Sequence, residues 1–264
     1  MLEVKNAYKL FNAGTPDEKV ALRAINLHLD PGDFVTIIGS NGAGKSTLMN
    51  LISGTLRPDI GQVRINGQTV EHLTEHQRSR WIGRVFQDPM AGTAPRMTIE
   101  ENLAMALKRG ERRGLRFGVT RRKRELFREQ LSRLGIGLED RLNAKVGLLS
   151  GGERQALSLL MATFTKPKIL LLDEHTAALD PARAELVTRL TEEIVGDLKL
   201  TTLMVTHNME QAIRLGNRLI MMDKGQIILD IDPEQKKTLT VERLLGEFER
   251  ISGRKMADDR VVLG

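Results

Sequence analysis

Hydrophobic positions follow two different patterns along this chain of 264 residues. Short apolar runs bounded by Gly, Pro, Asn or Asp predict strands, whereas apolar residues spaced three or four apart predict helices. The run at residues 34–38 is almost wholly apolar, which is typical of a strand buried on both faces of a parallel or mixed sheet. The pattern predicts strands at residues 2–4, 22–29, 34–38, 62–65, 169–172, 202–205, 218–222 and 226–230.

The pattern becomes helical between residues 98 and 136, where strand signals are almost absent. Because strands and helices alternate on both sides of this stretch, we predict an α/β core that carries a helical insertion. The predicted organisation is one domain at 1–240, with the insertion at about 90–165, and a C-terminal helix and tail at 241–264. Predicted helices lie at residues 46–52, 100–108, 123–134 and 241–252.

Composition narrows the possible classes of protein. The chain has no cysteine, so disulfides and thiolate metal sites are excluded. The first residues, MLEVKNAYKLF, lack the apolar segment of a secretory signal, and the longest apolar runs are too short to span a bilayer. We therefore expect a soluble, cytoplasmic protein.

The net charge is +6, and much of the basic excess lies between residues 108 and 129. A solvated helical face is the preferred interpretation of this stretch. A surface for nucleic acid or for an anionic membrane is the alternative. The chain has only one Tyr and one Trp, which leaves few side chains for stacking on single-stranded nucleic acid.

A glycine-rich stretch, GSNGAGKST at residues 39–47, lies directly after the predicted buried strand and fits the pattern G-x-x-x-x-G-K-[ST]. Gly42 and Gly44 let the backbone fold tightly, so that successive N–H groups point at phosphates. Lys45 places a cation between the β- and γ-phosphates, and the Ser46 hydroxyl is suited to bind Mg²⁺. This P-loop therefore predicts a nucleotide site formed by Gly39, Ser40, Asn41, Gly42, Ala43, Gly44, Lys45, Ser46 and Thr47.

The predicted strand at residues 169–172 ends in two adjacent acids, Asp173 and Glu174. Sites in parallel sheets lie at the carboxyl ends of the strands, and neighbouring side chains of a strand point in different directions. Asp173 can hold Mg²⁺ through water, while Glu174 can accept a proton from an attacking water or fix its orientation. A solvated strand end without a catalytic task is the alternative.

The stretch LLSGGERQ at residues 148–155 has the pattern of a helix start. We call these residues the signature loop. Ser150 is followed three residues later by Glu153 and then by an apolar run, which is the capping-box pattern. Gly151 and Gly152 expose backbone N–H groups at the positive end of that helix, a place to hold a phosphate. The chain thus has a second candidate phosphate site in addition to the P-loop.

In this order, the motifs resemble those of ABC-type ATPase subunits, the ATP-binding components of membrane transporters. LSGGE in the signature loop matches the LSGGQ signature of the family, and the resemblance extends from Leu2 to about Asp230. It implies a P-loop ABC-type ATPase core with an N-terminal antiparallel β subdomain and an inserted α-helical subdomain. Other matching residues are Gln87 in VFQDP (Q-loop), Asp180 in AALD (D-loop), His207 in VTHN (H-loop) and Phe11, or the nearby Tyr8, at the adenine.

The resemblance also implies how two phosphate sites work in one chain. In the family, two copies pack head to tail, and the signature of one copy covers the γ-phosphate held by the P-loop of the other. ATP then stabilises the dimer and hydrolysis releases it. The implied nucleotide contacts outside the P-loop are Phe11, Asp180 and, from the second copy, Ser150, Gly151, Gly152 and Glu153. The implied catalytic residues are Glu174, His207 and Gln87, and the implied Mg²⁺ ligands are Ser46, Gln87 and Asp173.

The resemblance predicts the partners as well. ATP and Mg²⁺ are the expected cofactors, and the protein is expected at the cytoplasmic face of the membrane, bound to integral-membrane permease subunits. Residues 88–98 lie where the family contacts the permease. A separate extracytoplasmic solute-binding protein is an indirect partner, and nucleic acid is not an expected one.

Three features depart from the usual family pattern. Glu153 replaces the signature glutamine, His175 stands where most members carry proline, and the apolar run after the signature is atypical. These variants resemble a branch of bacterial uptake-system ATPases, some of which are assigned to tryptophan or tyrosine import. The expected function is the ATP-hydrolysing motor of an importer for a small solute such as an amino acid. The alternatives are an exporter or lipid-extraction ATPase, a soluble ABC ATPase acting on nucleic acid or the ribosome, and a switch without turnover.

Overall fold

The computed structural model describes residues 1–111 and 118–253, which include ten strands and nine α-helices. The described strands are β1 (Leu2–Phe11), β2 (Lys19–Leu29), β3 (Phe34–Gly39), β4 (Ile60–Ile65), β5 (Gln68–Thr69), β6 (Ile82–Val85), β7 (Ile169–Asp173), β8 (Thr201–Val205), β9 (Arg218–Asp223) and β10 (Gln226–Ile231). The described helices are α1 (Lys45–Ser53), α2 (Glu75–Arg78), α3 (Ile99–Leu107), α4 (Arg121–Ser132), α5 (Gly151–Thr163), α6 (Pro181–Leu198), α7 (Met209–Arg214), α8 (Pro233–Lys236) and α9 (Val241–Ser252).

The chain forms two compact units. Of the described residues, the first contains 1–78 and 201–253, and the second contains 79–111 and 118–200. Every strand predicted from the sequence is present, and the predicted antiparallel β and helical parts of the fold are confirmed.

The first unit contains an antiparallel sheet with the strand order β2-β1-β4-β5. Leu2 lies opposite Leu29 of β2 on one side and Ile65 of β4 on the other. All three of these residues are buried, so the apolar residues of the three strands form a common core.

Four further strands of this unit run side by side in the order β10-β9-β3-β8. β3 is parallel to both β8 and β9, and all six of its residues are buried. The apolar run at residues 34–38 is therefore explained by its central position in the sheet. Helix α9 packs on the same unit through Leu244 and Phe248, which lie against a cluster that includes Ile38 and Met209.

The second unit contains the parallel pair β6 and β7, together with α3, α4, α5 and α6. Helix α4 begins two residues earlier than predicted, because Thr120 caps its first turn by accepting a hydrogen bond from Lys123 N–H. Phe127 of α4 packs edge-on against Phe164, with 5.9 Å between the ring centroids. The hydrophobic spacing found the buried face of this helix but not its start.

Part of the basic stretch has a structural role. Arg124 donates two hydrogen bonds to the buried Glu100 carboxylate, at 2.7 and 2.9 Å, and these bonds lower the pKa of Glu100. Arg121 and Arg122 are exposed, as expected for a solvated face, while the stretch from 112 to 117 lies outside the described residues. Among residues 1–111 and 118–253, no helix is long and apolar enough to cross a bilayer.

Candidate active site

The P-loop connects the end of β3 to the start of α1. Gly44 occupies the N-cap position of α1 with φ +101°, in the left-handed region, and a Cβ there would lie 2.6 Å from the backbone oxygen of Ala21. Only glycine fits this conformation and this close approach. Gly44 provides no side-chain cap for α1, and the first N–H groups of a helix are suited to bind an anion.

The Lys45 side chain reaches back to the start of the P-loop. Its Nζ donates hydrogen bonds to the backbone oxygens of Gly39 at 2.6 Å and Ser40 at 3.1 Å, and the residue is buried. The Ser40 hydroxyl lies 3.3 Å from a carboxylate oxygen of Asp223, at the end of β9. Asp223 therefore supports the P-loop, although no motif pointed to it.

His207 lies beside the strand that leads into the P-loop. The preceding residue, Thr206, donates its backbone N–H to the oxygen of Ile37 in β3 at 3.1 Å. The following residue, Asn208, caps α7 by accepting from Gln211 N–H at 2.9 Å. Both neighbours of His207 are thus fixed, and the first unit brings this histidine and the P-loop to the carboxyl ends of adjacent strands.

The two aromatic candidates for the adenine, Phe11 and Tyr8, both lie on β1. Phe11 pairs with Lys19 of β2, and the Lys19 Nζ lies 3.9 Å from the position that a Cβ on Gly42 would take. Phe11 is therefore the candidate whose strand partner reaches the P-loop. Tyr8 pairs with Ile60 on β4 instead.

In the second unit, the adjacent acids lie where the sequence placed them, at the end of β7. Asp173 forms an ion pair with Arg84 of β6, with 2.9 Å between the charged atoms. Both side chains are largely buried, so Arg84 fixes the orientation of the carboxylate. No local pattern predicts this pair, since 89 positions separate its members.

Glu174 has an unusual backbone conformation, with φ +47°. For a residue other than glycine, the left-handed region costs roughly 1–2 kcal/mol. The oxygen of Glu174 accepts a hydrogen bond from Ala177 N–H at 3.0 Å, which forms a tight turn after β7. The loop then ends at Asp180, which caps α6 by accepting from Arg183 N–H at 3.2 Å.

Gln87 is exposed and follows β6 by two residues. Because β6 and β7 are parallel, with Val85 opposite Leu172, Gln87 and Glu174 lie at the same edge of this strand pair. The buried Gln155 of α5 donates to the backbone oxygen of Phe86 at 3.0 Å. This bond connects α5 to the residue before Gln87, and no sequence pattern predicted it.

The signature loop begins α5 as predicted. The Ser150 hydroxyl accepts a hydrogen bond from Glu153 N–H, and the Glu153 carboxylate accepts one from Ser150 N–H at 2.7 Å, so the capping box is complete. Glu153 also pairs with Arg141 at 2.6 Å. Although burial alone would raise the pKa of Glu153, the hydrogen bonds from Ser150 and Arg141 lower it. The Glu153 carboxylate thus holds the signature loop in its conformation.

The fold and these two groups of residues define a P-loop cassette that binds and hydrolyses nucleotide. The chain matches the ABC transporter family over residues 22–177 and belongs to that family. The predicted ABC-type ATP-binding subunit, with ATPase activity, is confirmed.

Relatives are similar over nearly the whole chain. The tyrosine transport ATP-binding protein of Clostridioides difficile (strain R20291) is 44% identical over 94% of this chain and 99% of its own length. A methionine import ATP-binding protein of Pseudomonas syringae pv. tomato is 33% identical over 98% of this chain and 71% of its own length. A solved dimeric ATP-binding cassette in a post-hydrolysis state, bound to ADP and phosphate, superposes with a TM-score of 0.76 at 29% identity, covering 88% of this chain and 99% of that one.

Proposed function

We propose that this chain is the motor subunit of a bacterial importer for a small solute such as an amino acid. The observation that carries the proposal is the 44% identity to a tyrosine transport ATP-binding protein over almost the full length of both chains. The similarity to a methionine import ATP-binding protein supports the same direction of transport and the same class of solute.

In the proposed mechanism the P-loop binds the phosphates of ATP. The N–H groups at the start of α1 face the anion, and Lys45 neutralises charge on the β- and γ-phosphates. Phe11 stacks on the adenine, a role supported by the proximity of its strand partner Lys19 to Gly42.

Mg²⁺ would be held by the Ser46 hydroxyl, Asp173 and Gln87. These are oxygen donors, which Mg²⁺ prefers, and this ion usually takes few protein ligands beside the phosphates. Among the described residues, no three or more His, Cys, Asp or Glu side chains cluster in a way that could hold a metal. Arg84 binds one carboxylate oxygen of Asp173, which leaves the other for the ion or its water. The bound ion would neutralise charge on the phosphates.

Hydrolysis is assigned to two further residues. Glu174 orients the attacking water and accepts its proton, and His207 contacts the γ-phosphate or holds that water in place. The buried ion pair before Glu174 and the fixed neighbours of His207 support these roles, because catalytic groups need a defined direction.

We further propose that two copies pack head to tail, with the signature loop of one copy over the P-loop of the other. Solved cassettes with similar folds are dimeric. Leu148 in the signature loop is 75% exposed. Covering this apolar side chain with a second copy removes it from water, which stabilises the dimer. The dimer would bind permease subunits at the cytoplasmic face of the membrane through residues 88–98, with an extracytoplasmic solute-binding protein as an indirect partner.

The test is affinity purification of a tagged Glu174→Gln protein from its native membranes with ATP and Mg²⁺, followed by mass spectrometry. Recovery of a polytopic permease, together with a solute-binding protein, is the expected result, since blocked hydrolysis preserves the ATP-bound assembly. A Lys45→Ala protein serves as the matched control for nucleotide-dependent recovery. Recovery of ribosomes or nucleic acid, without a permease, would overturn the transporter assignment.

A further inference from the structure

The residue after Glu174 is a buried histidine. His175 is 1% exposed, and its Nε2 lies 3.0 Å from the Thr191 hydroxyl oxygen, in the middle of α6. The family that the sequence resembles usually has proline at this position, which offers no side-chain hydrogen bond. The contact with Thr191 is therefore a feature of this chain that the general mechanism does not use.

The position of the protons in this contact follows from the hydrogen bonds. Thr191 Oγ1 lies 2.8 Å from the backbone oxygen of Val187, which can only accept. Because a hydroxyl has one proton, Thr191 donates to Val187 and must accept from His175. The proton of the neutral imidazole is thus on Nε2, and Nδ1 is a buried acceptor without a partner among the described residues.

The charge state of His175 is consistent with this assignment. Burial lowers the pKa of the imidazole to about 4, so the ring is neutral at neutral pH. A neutral donor that is fixed by packing holds its partner in one geometry.

The backbone of the neighbouring Glu174 has a strained conformation, which the hydrogen bond between His175 and Thr191 can help to hold. Glu174 is held at φ +47°, and a conformation of this kind persists only where the surrounding structure enforces it. The Arg84–Asp173 ion pair fixes the residue before Glu174, and the bond from Ala177 N–H closes the turn after it. The His175 side chain bonds this turn to α6.

We propose that His175 is a positioning residue, which anchors the turn after β7 to α6 through Thr191 and so sets the direction of the Glu174 carboxylate. The inference rests on the proposed catalytic role of Glu174. His175 does not touch the nucleotide in this account, and it acts only through the backbone that it shares with Glu174.

The test compares steady-state ATP hydrolysis of three variants. His175→Leu and Thr191→Val each remove the hydrogen bond, one from each side, and each should lower kcat about tenfold to a hundredfold while the KM for ATP stays within about twofold. His175→Gln keeps an N–H donor and should retain most of the wild-type kcat. The double variant should be no slower than the slower single variant, since both changes break one bond.

Thr188→Val is the matched control. Thr188 is a buried threonine of the same helix, and its hydroxyl donates to the Ala184 oxygen at 2.8 Å, as Thr191 does to Val187. Its removal should leave kcat unchanged. If His175→Leu does not fold, Thr191→Val decides the question, because it breaks the same bond from the helix side.

A wild-type kcat in folded His175→Leu or Thr191→Val would overturn the inference. So would equal losses in His175→Gln and His175→Leu, or a loss shared by Thr188→Val, because either result indicates general packing. Failure of the proposed role of Glu174 is distinguishable, since Glu174→Gln would then hydrolyse ATP at the wild-type rate.

Discussion

The P-loop and the signature loop both lead into a helix through glycine-rich sequence, but they begin their helices in different ways. Gly44 starts α1 in a left-handed conformation, and the first turn of α1 contains neither a capping side chain from the described residues nor an acid. Ser150 starts α5 with a complete capping box, and Glu153 supplies an acid to its first turn.

The difference indicates what each loop lacks. The start of α1 has no capping side chain at Gly44, and such a helix start is suited to bind an external anion. The capping box of α5 pairs the Ser150 and Glu153 N–H groups within their own unit, so this helix start keeps its shape without nucleotide. The glycines differ accordingly. Gly44 is needed for its backbone conformation, whereas Gly152 has no positive φ and lets the Arg183 side chain approach, since a Cβ would lie 3.0 Å from it.

The largest expected effect comes from a change that alters neither loop. Glu174→Gln should lower the rate of ATP hydrolysis by about 10²–10⁴-fold, because the amide cannot accept the proton of the attacking water. The dissociation constant for ATP should remain close to that of the wild type. Phosphate release and equilibrium binding measure the two quantities, with Glu129→Gln on the exposed face of α4 as the control. A parallel loss of binding would show that Glu174 shapes the nucleotide site and does not act in the chemical step.

The two glycines should respond differently to the same substitution. Gly44→Ala places a Cβ against the Ala21 oxygen in a left-handed conformation, so ATP affinity should fall by at least about a hundredfold. Gly152→Ala should leave the ATP affinity of the isolated chain within about twofold, because alanine is favoured in a helix and the Arg183 side chain can move. Titration calorimetry measures both. Equal losses of affinity would contradict the contrast between the loops.

Acid should destabilise the second unit through His175. The folded pKa of about 4 lies below the ordinary value of 6.5, so the unfolded chain binds the proton first as the pH falls. The free energy of unfolding should therefore decrease between about pH 6.5 and pH 4, by about 2 kcal/mol at pH 5. Chemical denaturation at several pH values measures this contribution. In His175→Gln it should be absent, and an unchanged pH dependence in that variant would rule out His175 as its source.

The smallest effect compares two helix caps. Ser150→Ala and Thr120→Ala each remove a capping hydroxyl, at α5 and at α4, and each should cost about 1 kcal/mol of stability. Only Ser150→Ala should also lower ATPase activity, because only that hydroxyl is proposed to face a phosphate. A loss of ATPase activity in Thr120→Ala would show that helix stability alone explains the effect.

Much of this site was predictable, because local patterns encode local structure. The P-loop, the two acids at the end of β7 and the Ser150 cap each need residues that are close together in sequence. The pairs Arg84–Asp173, Gln155–Phe86 and His175–Thr191 were missed, since periodicity tells which face is buried but not which distant side chain lies opposite. For the same reason the solvated-face interpretation missed that Arg124, which is itself exposed, pairs with the buried Glu100.

The central claim is that the signature loop of one copy completes the phosphate site of another, and mixing two inactive variants tests it most directly. Lys45→Ala disables the P-loop, while Gly152→Asp places a negative charge where the γ-phosphate would bind but suits the first turn of α5. Each variant alone should be inactive. A mixture should recover ATPase activity, because the mixed dimer contains one site with an intact P-loop and an intact signature loop. A mixture that stays inactive, although the two variants associate, would contradict the claim, and so would full activity of Gly152→Asp alone.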